Sequence, residues 1–200
     1  ERFKAAGVLA PKSKADLAFV MHSLSWLSSE GTAAIVCFPG VMYRGGREKT
    51  IREYLVKENF VDAVIQMPFN LFFGTNVSCC LLILRKAKEN DKTAFIDASS
   101  EFVSVTNSNK LSEENIQTVY RWYMDKKEVE HKVKLVSIDD IAKEDYNLSV
   151  STYVEPEDTR EKVDIVKLNA EIREIVKREE KLRASIDEII AEIEGGEDDE

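Results

Sequence analysis

The feature that most constrains the fold is a pair of strand patterns joined by a helical pattern. Residues 32–38 are a continuous apolar run, which is typical of a strand covered on both faces. Residues 61–67 predict another strand, which Pro68 ends. Between them, a helix to about Asn59 is predicted to bury Ile51, Tyr54 and Leu55. A strand, a helix and a strand within about 35 residues predict a βαβ unit with parallel pairing and a right-handed crossover.

A third apolar run predicts a strand of the opposite direction. Residues 77–84 follow the second run after a loop, residues 68–76, which is too short for a parallel crossover. The third run therefore has to lie antiparallel to the strand before it. A further short strand is expected at residues 93–96 and a weak one at residues 133–136. An α/β fold with parallel strands and a late antiparallel strand is the result.

Helix signals begin at Ser13, Ser112 and Ser137, each suited to accept a hydrogen bond as an N-cap. Ser13 and Asp16 form a capping box, and Gly31 is placed to end that helix. The helix after Ser112 is predicted to bury four apolar residues, which are Ile116, Val119, Tyr120 and Tyr123.

The end of the chain predicts one long helix from about Arg160 to Ile193, after a boundary at Pro156. Its apolar residues alternate at three- and four-residue spacing, which is typical of a coiled-coil seam. Only Glu179 interrupts the seam, whose members are Ile165, Leu168, Ile172, Ile175, Leu182, Ile186, Ile189 and Ile193. Such a helix either packs back on its own domain or pairs with a partner helix. We therefore divide the chain into residues 1–155 and residues 156–200, with a frayed acidic end.

Charge and composition narrow the class of protein. The net charge of −9 argues against a free-standing nucleic-acid binder. However, residues 1–92 carry +4, residues 93–160 carry −6 and residues 161–200 carry −7, so a nucleic-acid face is expected in the first half. No apolar run is long enough to cross a membrane, and three cysteines in apolar runs are typical of the reducing cytoplasm. Because the chain starts at Glu1 and not at Met, we expect it to derive from a longer protein.

No catalytic constellation stands out. His22 and His131 have no metal-ligand or nucleophile partner at useful spacing, and Gly45-Gly46 lacks the further residues of a phosphate-binding motif. The loop before the third apolar run is more informative, since it crowds Phe69, Leu71, Phe72 and Phe73 together. These side chains either cap the edge of the sheet or form a platform on which an unpaired base stacks.

Four segments together match a family pattern. They read ERFKAAGVLAPKSKADLAFVMHSLSWL from residue 1, GTAAIVCFPGVMYRGGREKTIREYLVKENFVDAVIQMP from residue 31, QMPFNLFFGTNVSCCLLILRK from residue 66 and YNLSVSTYV from residue 146. The third resembles motif VIII of the amino-methyltransferases of DNA. With the "RGG…IR..L" and "YNL" elements, the chain resembles the C-terminal part of the modification subunit of a type I restriction-modification system, an adenine-specific DNA methyltransferase.

The resemblance implies a Rossmann-like sheet that binds S-adenosylmethionine and ends in an antiparallel hairpin, with a long C-terminal helix. It also implies that the glycine-rich cofactor loop and the NPPF/NPPY motif lie upstream, and neither string occurs in these 200 residues. We therefore expect no catalytic and no cofactor-binding residue in this chain, and no methyl transfer by the chain alone.

The resemblance also assigns roles to particular positions. Phe72 is the first choice and Phe73 the second for stacking on the target base. Arg44, Arg47 and Lys49 contact DNA phosphate, unless they are only a solvated basic turn.

Partners follow in the same way. They are DNA, a restriction subunit and a specificity subunit held by the C-terminal helix, with self-association of that helix as another outcome. A pure protein-interaction module is the alternative. A nucleotide-binding oxidoreductase is disfavoured because the chain has no dinucleotide fingerprint.

Overall fold

The computed structural model describes residues 2–157 and 165–195. Contacts within the chain divide it into two units, Glu1–Glu157 and Asp158–Glu200. The helices and strands of the first unit are α1 (Asp16–Trp26), β1 (Thr32–Cys37), α2 (Arg47–Lys57), β2 (Val61–Gln66), β3 (Cys80–Arg85), β4 (Lys92–Asp97), β5 (Val103–Val105), β6 (Ser108–Lys110), α3 (Glu113–Asp125), β7 (Val133–Ser137) and α4 (Ile138–Lys143).

The main sheet has the order β1-β3-β2-β4-β7. The expected antiparallel pairing of β3 with β2 is confirmed, and so are strands at β4 and β7. The expected direct pairing of β1 with β2 is wrong. These strands run in the same direction, but β3 lies between them and pairs antiparallel with both. The short loop after β2 turns the chain back on the side that faces β1, so β3 is inserted between β1 and β2.

Helices cover both faces of the sheet. One core cluster packs α1, α2 and α4 against the first face, and its largest members include Leu17, Ile51 and Phe95. The other cluster packs α3 against the second face through Val119, Ile65 and Ile96. The smaller β5–β6 hairpin forms a separate two-stranded sheet.

One part of the second face stays uncovered within the described residues. β1 was expected to be buried on both faces, but Thr32, Ala34 and Val36 are exposed in alternation. α3 was expected to bury four residues, but it buries only Val119 fully. Both expectations are wrong for the same reason, since an apolar groove of about 310 Å³ separates α3 from the bare face of β1.

Two of the three predicted N-caps agree with the observed starts of the helices. The caps at Ser112 and Ser137 are confirmed, because their hydroxyl groups accept hydrogen bonds from the backbone N–H of Asn115 and Asp140 at 3.1 and 3.2 Å. The cap at Ser13 is wrong. A turn closed by the N–H of Lys14 on the carbonyl of Pro11 delays α1 until Asp16, and α1 ends at Trp26, before the expected stop at Gly31.

The described residues of the second unit form the helix α5 (Ile165–Gly195), which has 31 residues. All eight seam residues are exposed, and exposed Val176 and Ile190 flank them. The predicted start at Arg160 and the predicted fraying beyond Gly195 lie outside the described residues. None of the helices described here combines the length and the hydropathy that a membrane span requires.

Candidate functional site

The carboxyl ends of β1, β2 and β4 meet at one edge of the sheet, since these three strands run in the same direction. A basic turn, residues 39–49, follows β1. A loop rich in phenylalanine, residues 67–79, follows β2 and is called the aromatic loop here. The β5–β6 hairpin follows β4. In open α/β sheets this edge is where ligands bind.

The base of the aromatic loop is tied to the sheet. The N–H of Met67 donates to the carbonyl of Cys79 at 2.9 Å, and the side-chain amide of Gln66 donates to the same carbonyl at 3.3 Å. Within the loop, Asn70 and Gly74 adopt left-handed backbone angles, with φ of 55° and 78°. Asparagine and glycine are the residues that adopt this conformation most readily.

The β5–β6 hairpin holds the loop from above through Asn109. This residue is only 4% exposed. Its N–H donates to the carbonyl of Asn70 at 2.9 Å, and its side-chain amide donates to the carbonyl of Phe69 at 2.9 Å. Phe69 also packs edge-on against Phe102, with ring centroids 5.7 Å apart. The hairpin therefore fixes the part of the loop that precedes Phe72.

Sequence reasoning missed the hairpin and Asn109. The strands have three residues each and are mostly polar, so they show no strong alternation. The Thr106-Asn107 pair between them was the one available turn signal.

The aromatic loop borders a cavity of about 370 Å³. Its lining residues are Val36, Met67, Leu71, Phe72, Leu81, Asn109, Lys110 and Leu111. Phe72 lines the cavity and is 45% exposed, whereas Phe73 is fully exposed and lies outside the lining. Of the four apolar loop residues only Leu71 is half-buried, so the idea that all four cap the sheet edge is wrong.

The basic turn presents its three cations differently. The guanidinium of Arg44 lies 5.3 Å from the ring centroid of Phe38 and 3.5 Å from the carboxylate of Glu48. Lys49 forms an ion pair with Asp145. Arg47 is exposed and forms no ion pair within residues 2–157 and 165–195. Arg47 is therefore the cation of this turn best placed to meet an outside anion.

A buried arginine connects the basic turn with a distant segment. Arg52 of α2 is 2% exposed, and its guanidinium donates to the carbonyls of Val41 at 2.9 Å and of Tyr146 at 3.0 Å. The N–H of Leu148 donates in turn to the carbonyl of Met42 at 2.8 Å. The "IR" and "YNL" elements of the sequence pattern are thus structural partners that shape the turn after β1.

The histidines contact neighbouring groups of the fold, and two of the cysteines are buried in it. The ring of His22 packs 4.4 Å from that of Trp26, and His131 contacts the carbonyl of Glu155 at 3.0 Å. Burial raises the pKa of the Cys37 and Cys80 thiols to about 12, so both stay protonated. No group of three His, Cys, Asp or Glu residues in the described ranges is arranged to hold a metal ion.

The carboxyl edge provides an aromatic wall and a cation. Phe72 is its aromatic residue and Arg47 its exposed cation.

Comparison with known proteins gives consistent results. The chain is 50% identical over 193 residues to the methylase subunit of the type I restriction enzyme MpnII from Mycoplasma pneumoniae, covering 96% of this chain and 36% of that protein. It is 35% identical to the methylase subunit of the MjaVII enzyme from Methanocaldococcus jannaschii, covering 94% of this chain and 33% of that protein.

A solved structure agrees with this likeness. The methyltransferase subunit of a type I restriction-modification system from Streptococcus thermophilus superposes with a TM-score of 0.75 at 39% identity, covering 77% of this chain and 33% of that one. The chain thus spans about a third of the length of these relatives. Residues 1–162 match the N-6 DNA methylase family. The chain belongs to the N-6 DNA methylase family.

Proposed function

We propose that this chain is the C-terminal part of the modification subunit of a type I restriction-modification system. The whole protein transfers a methyl group from S-adenosylmethionine to the amino group of adenine in DNA. This part supplies the last strands of the sheet, a wall for the target base and a contact to other subunits. The observation that carries the proposal is the 50% identity to a type I methylase subunit along nearly the whole chain.

The aromatic loop supports the role as a base wall. Methylation of a base requires that the base leave the duplex and stack in a pocket between apolar or aromatic groups. Phe72 lines a cavity at the carboxyl edge of the sheet, while the loop around it is held at both ends by hydrogen bonds. Arg47, an exposed cation of the neighbouring turn, would contact a phosphate of the same DNA strand.

The exposed seam of α5 supports the role in assembly. A helix whose eight seam residues are all exposed leaves a large apolar surface in water, which is unfavourable without a partner. We propose that the specificity subunit covers this seam, and that the restriction subunit joins the same complex. The alternative function, a protein-assembly module without a share in catalysis, rests on the same exposure.

The experiment that tests the proposal measures methyl transfer from labelled S-adenosylmethionine to unmethylated DNA. The 200-residue chain is assayed beside a full-length protein that contains it, assembled with its specificity subunit. We expect transfer by the full-length assembly and none by the chain alone. Transfer by the purified chain, or no transfer to adenine by the active assembly, would contradict the proposal.

A further inference from the structure

A second polar pocket lies at the opposite edge of the sheet from the candidate site. It opens where β2 begins, where β3 ends and where α3 ends. Its volume is about 240 Å³, and its lining residues are Asp62, Arg85, Ala87, Lys88, Glu89, Asn90, Met124 and Lys126. The proposed function assigns no role to these residues.

The floor of the pocket is a neutralised carboxylate. Asp62 is the extra residue of a bulge in β2, between Val61 and Ala63, and it is fully buried. Its carboxylate accepts a hydrogen bond from the hydroxyl of Tyr123 at 2.8 Å and one from the ammonium of Lys126 at 2.5 Å. Since a buried carboxylate needs such partners, the charge of Lys126 is balanced by Asp62.

Two further cations of the pocket, Lys88 and Arg85, form no ion pair among the residues that the structure describes. The ammonium of Lys88 donates to the backbone carbonyl of Val61 at 2.7 Å. The Nε atom of Arg85 is buried and has no hydrogen-bond partner within the described residues. The other acidic lining residue, Glu89, is exposed to solvent. A buried donor without a partner costs stability, and a cluster of cations concentrates positive potential in a small cavity.

We propose that this pocket binds an oxyanion of the phosphate class, held by Arg85, Lys88 and Lys126. The guanidinium provides a planar fork that matches phosphate oxygens, and the two ammonium groups provide point charges from other directions. A bound phosphate would balance the charges of Arg85 and Lys88, which line the pocket together. The inference does not depend on the role in DNA methylation.

The electrostatics of Lys88 agree with this geometry. Burial, together with repulsion by Lys126 and Arg85, lowers the pKa of Lys88 to about 8, although Asp62 and Asp91 act in the opposite direction. An anion in the pocket favours the charged form of the ammonium. Binding of phosphate is therefore expected to raise the pKa of Lys88, and binding should weaken above pH 8 as the free lysine loses its proton.

The test is a calorimetric titration of the 200-residue chain with inorganic phosphate at pH 7, against sodium chloride at matched ionic strength. We expect saturable binding that Arg85→Gln and Lys88→Gln each weaken about tenfold or more. Lys127→Gln is the matched control, because Lys127 is exposed beside Lys126 but does not line the pocket. Its affinity should equal that of the unaltered chain.

A folding defect can be separated from a binding defect. Amide NMR spectra report whether each variant keeps its fold, and Arg85→Lys, which keeps the charge but loses the fork, should bind phosphate more weakly than the unaltered chain. If a short DNA duplex competes with inorganic phosphate, the natural ligand is the phosphate of a nucleic-acid backbone. If the duplex does not compete, the ligand is a small phosphate compound. Phosphate effects equal to those of chloride, or equal affinity in folded Arg85→Gln, would overturn the inference.

Discussion

Phe72 and Phe73 are adjacent in the chain but differ in what surrounds them. Phe72 lines the cavity at the carboxyl edge, and the hairpin fixes the backbone just before it. Phe73 extends fully into solvent outside that lining. A stacking platform must be held in place to gain from a bound base, so the geometry favours Phe72 over its neighbour.

We therefore expect Phe72→Ala, in a full-length protein that contains this chain, to lower methyl transfer about tenfold or more. A stacked base is worth about 1–3 kcal/mol, and this contact is absent in the variant. The affinity for S-adenosylmethionine should change little. Phe73→Ala is the matched control and should retain most activity. If the Phe73 variant lost activity while the Phe72 variant kept it, the base platform would be Phe73.

The side chain of Asn109 tests the positioning of the same loop. Asn109→Ala removes its hydrogen bond to the carbonyl of Phe69, and we expect turnover in a full-length protein to fall about tenfold while the affinity for S-adenosylmethionine stays the same. Asn107→Ala is the control, because Asn70 of the loop donates to the backbone carbonyl of Asn107, which the substitution keeps. Equal turnover of the two variants would show that the hairpin does not position the loop.

The lowered pKa of Lys88 predicts how the free energy of unfolding depends on pH. Its pKa is lowered from 10.5 to about 8 in the folded chain, so between these values the unfolded chain binds more protons. The free energy of unfolding should therefore rise with pH across this window, by on the order of 2–3 kcal/mol relative to Lys88→Met. Urea unfolding at pH 7 to 10.5 in phosphate-free buffer measures the difference. Parallel pH profiles for the two proteins would contradict the assigned pKa.

At the level of elements, the sequence predicts what depends on local pattern. β2, β3 and β4 lie where the sequence pattern predicts strands. The antiparallel direction of β3 is predicted by the short loop before it. What failed depends on contacts far along the chain. The position of β3 between β1 and β2, and the hydrogen bonds from Asn109 to the aromatic loop, leave no local signal.

The candidate site divides in the same way. The phenylalanine cluster and the basic turn are visible as residue types, but their surroundings are not. The ion pair of Lys49 with Asp145 joins residues that are far apart in sequence, and only the structure separates it from the exposed Arg47.

The apolar seam of α5 can be tested as a subunit interface by substitution. Ile172→Asp with Ile186→Asp places two charges in the apolar seam, and we expect it to abolish assembly of a full-length protein with its specificity subunit. Ala170→Asp with Ala184→Asp is the matched control, since it adds the same charge on the opposite side of the helix. Co-purification measures assembly, and circular dichroism checks that the fold remains. Normal assembly of the isoleucine variant would remove the seam from the interface.

At the scale of the whole molecule, the main feature is the exposed edge strand β1 of the main sheet. Among the described residues, β1 pairs with β3 and has no strand on its other side. The groove beside α3 is lined almost entirely by apolar side chains. An exposed strand edge next to an exposed apolar face is a site for further pairing. The relatives are about three times as long as this chain. We therefore propose that the remaining segment of a full-length protein covers the groove and adds a strand to β1.

Ala34→Asp tests this proposal, because Ala34 is an exposed residue of β1 that lines the groove. In the 200-residue chain the change should alter the free energy of unfolding by less than about 0.5 kcal/mol, as surface substitutions do. In a full-length protein it should cost about 2–4 kcal/mol, because the carboxylate would be buried without a partner. Ser104→Asp, at an exposed position of β5 outside the groove, should cost little in both proteins.

Hydrogen exchange adds an independent measurement. Backbone amides on the free edge of β1 should exchange fast in the 200-residue chain and slowly in the full-length protein. Amides of β2, which is paired on both sides, should be protected in both proteins. Fast exchange along β1 in the full-length protein, together with a small cost of Ala34→Asp there, would show that this edge of the sheet stays open.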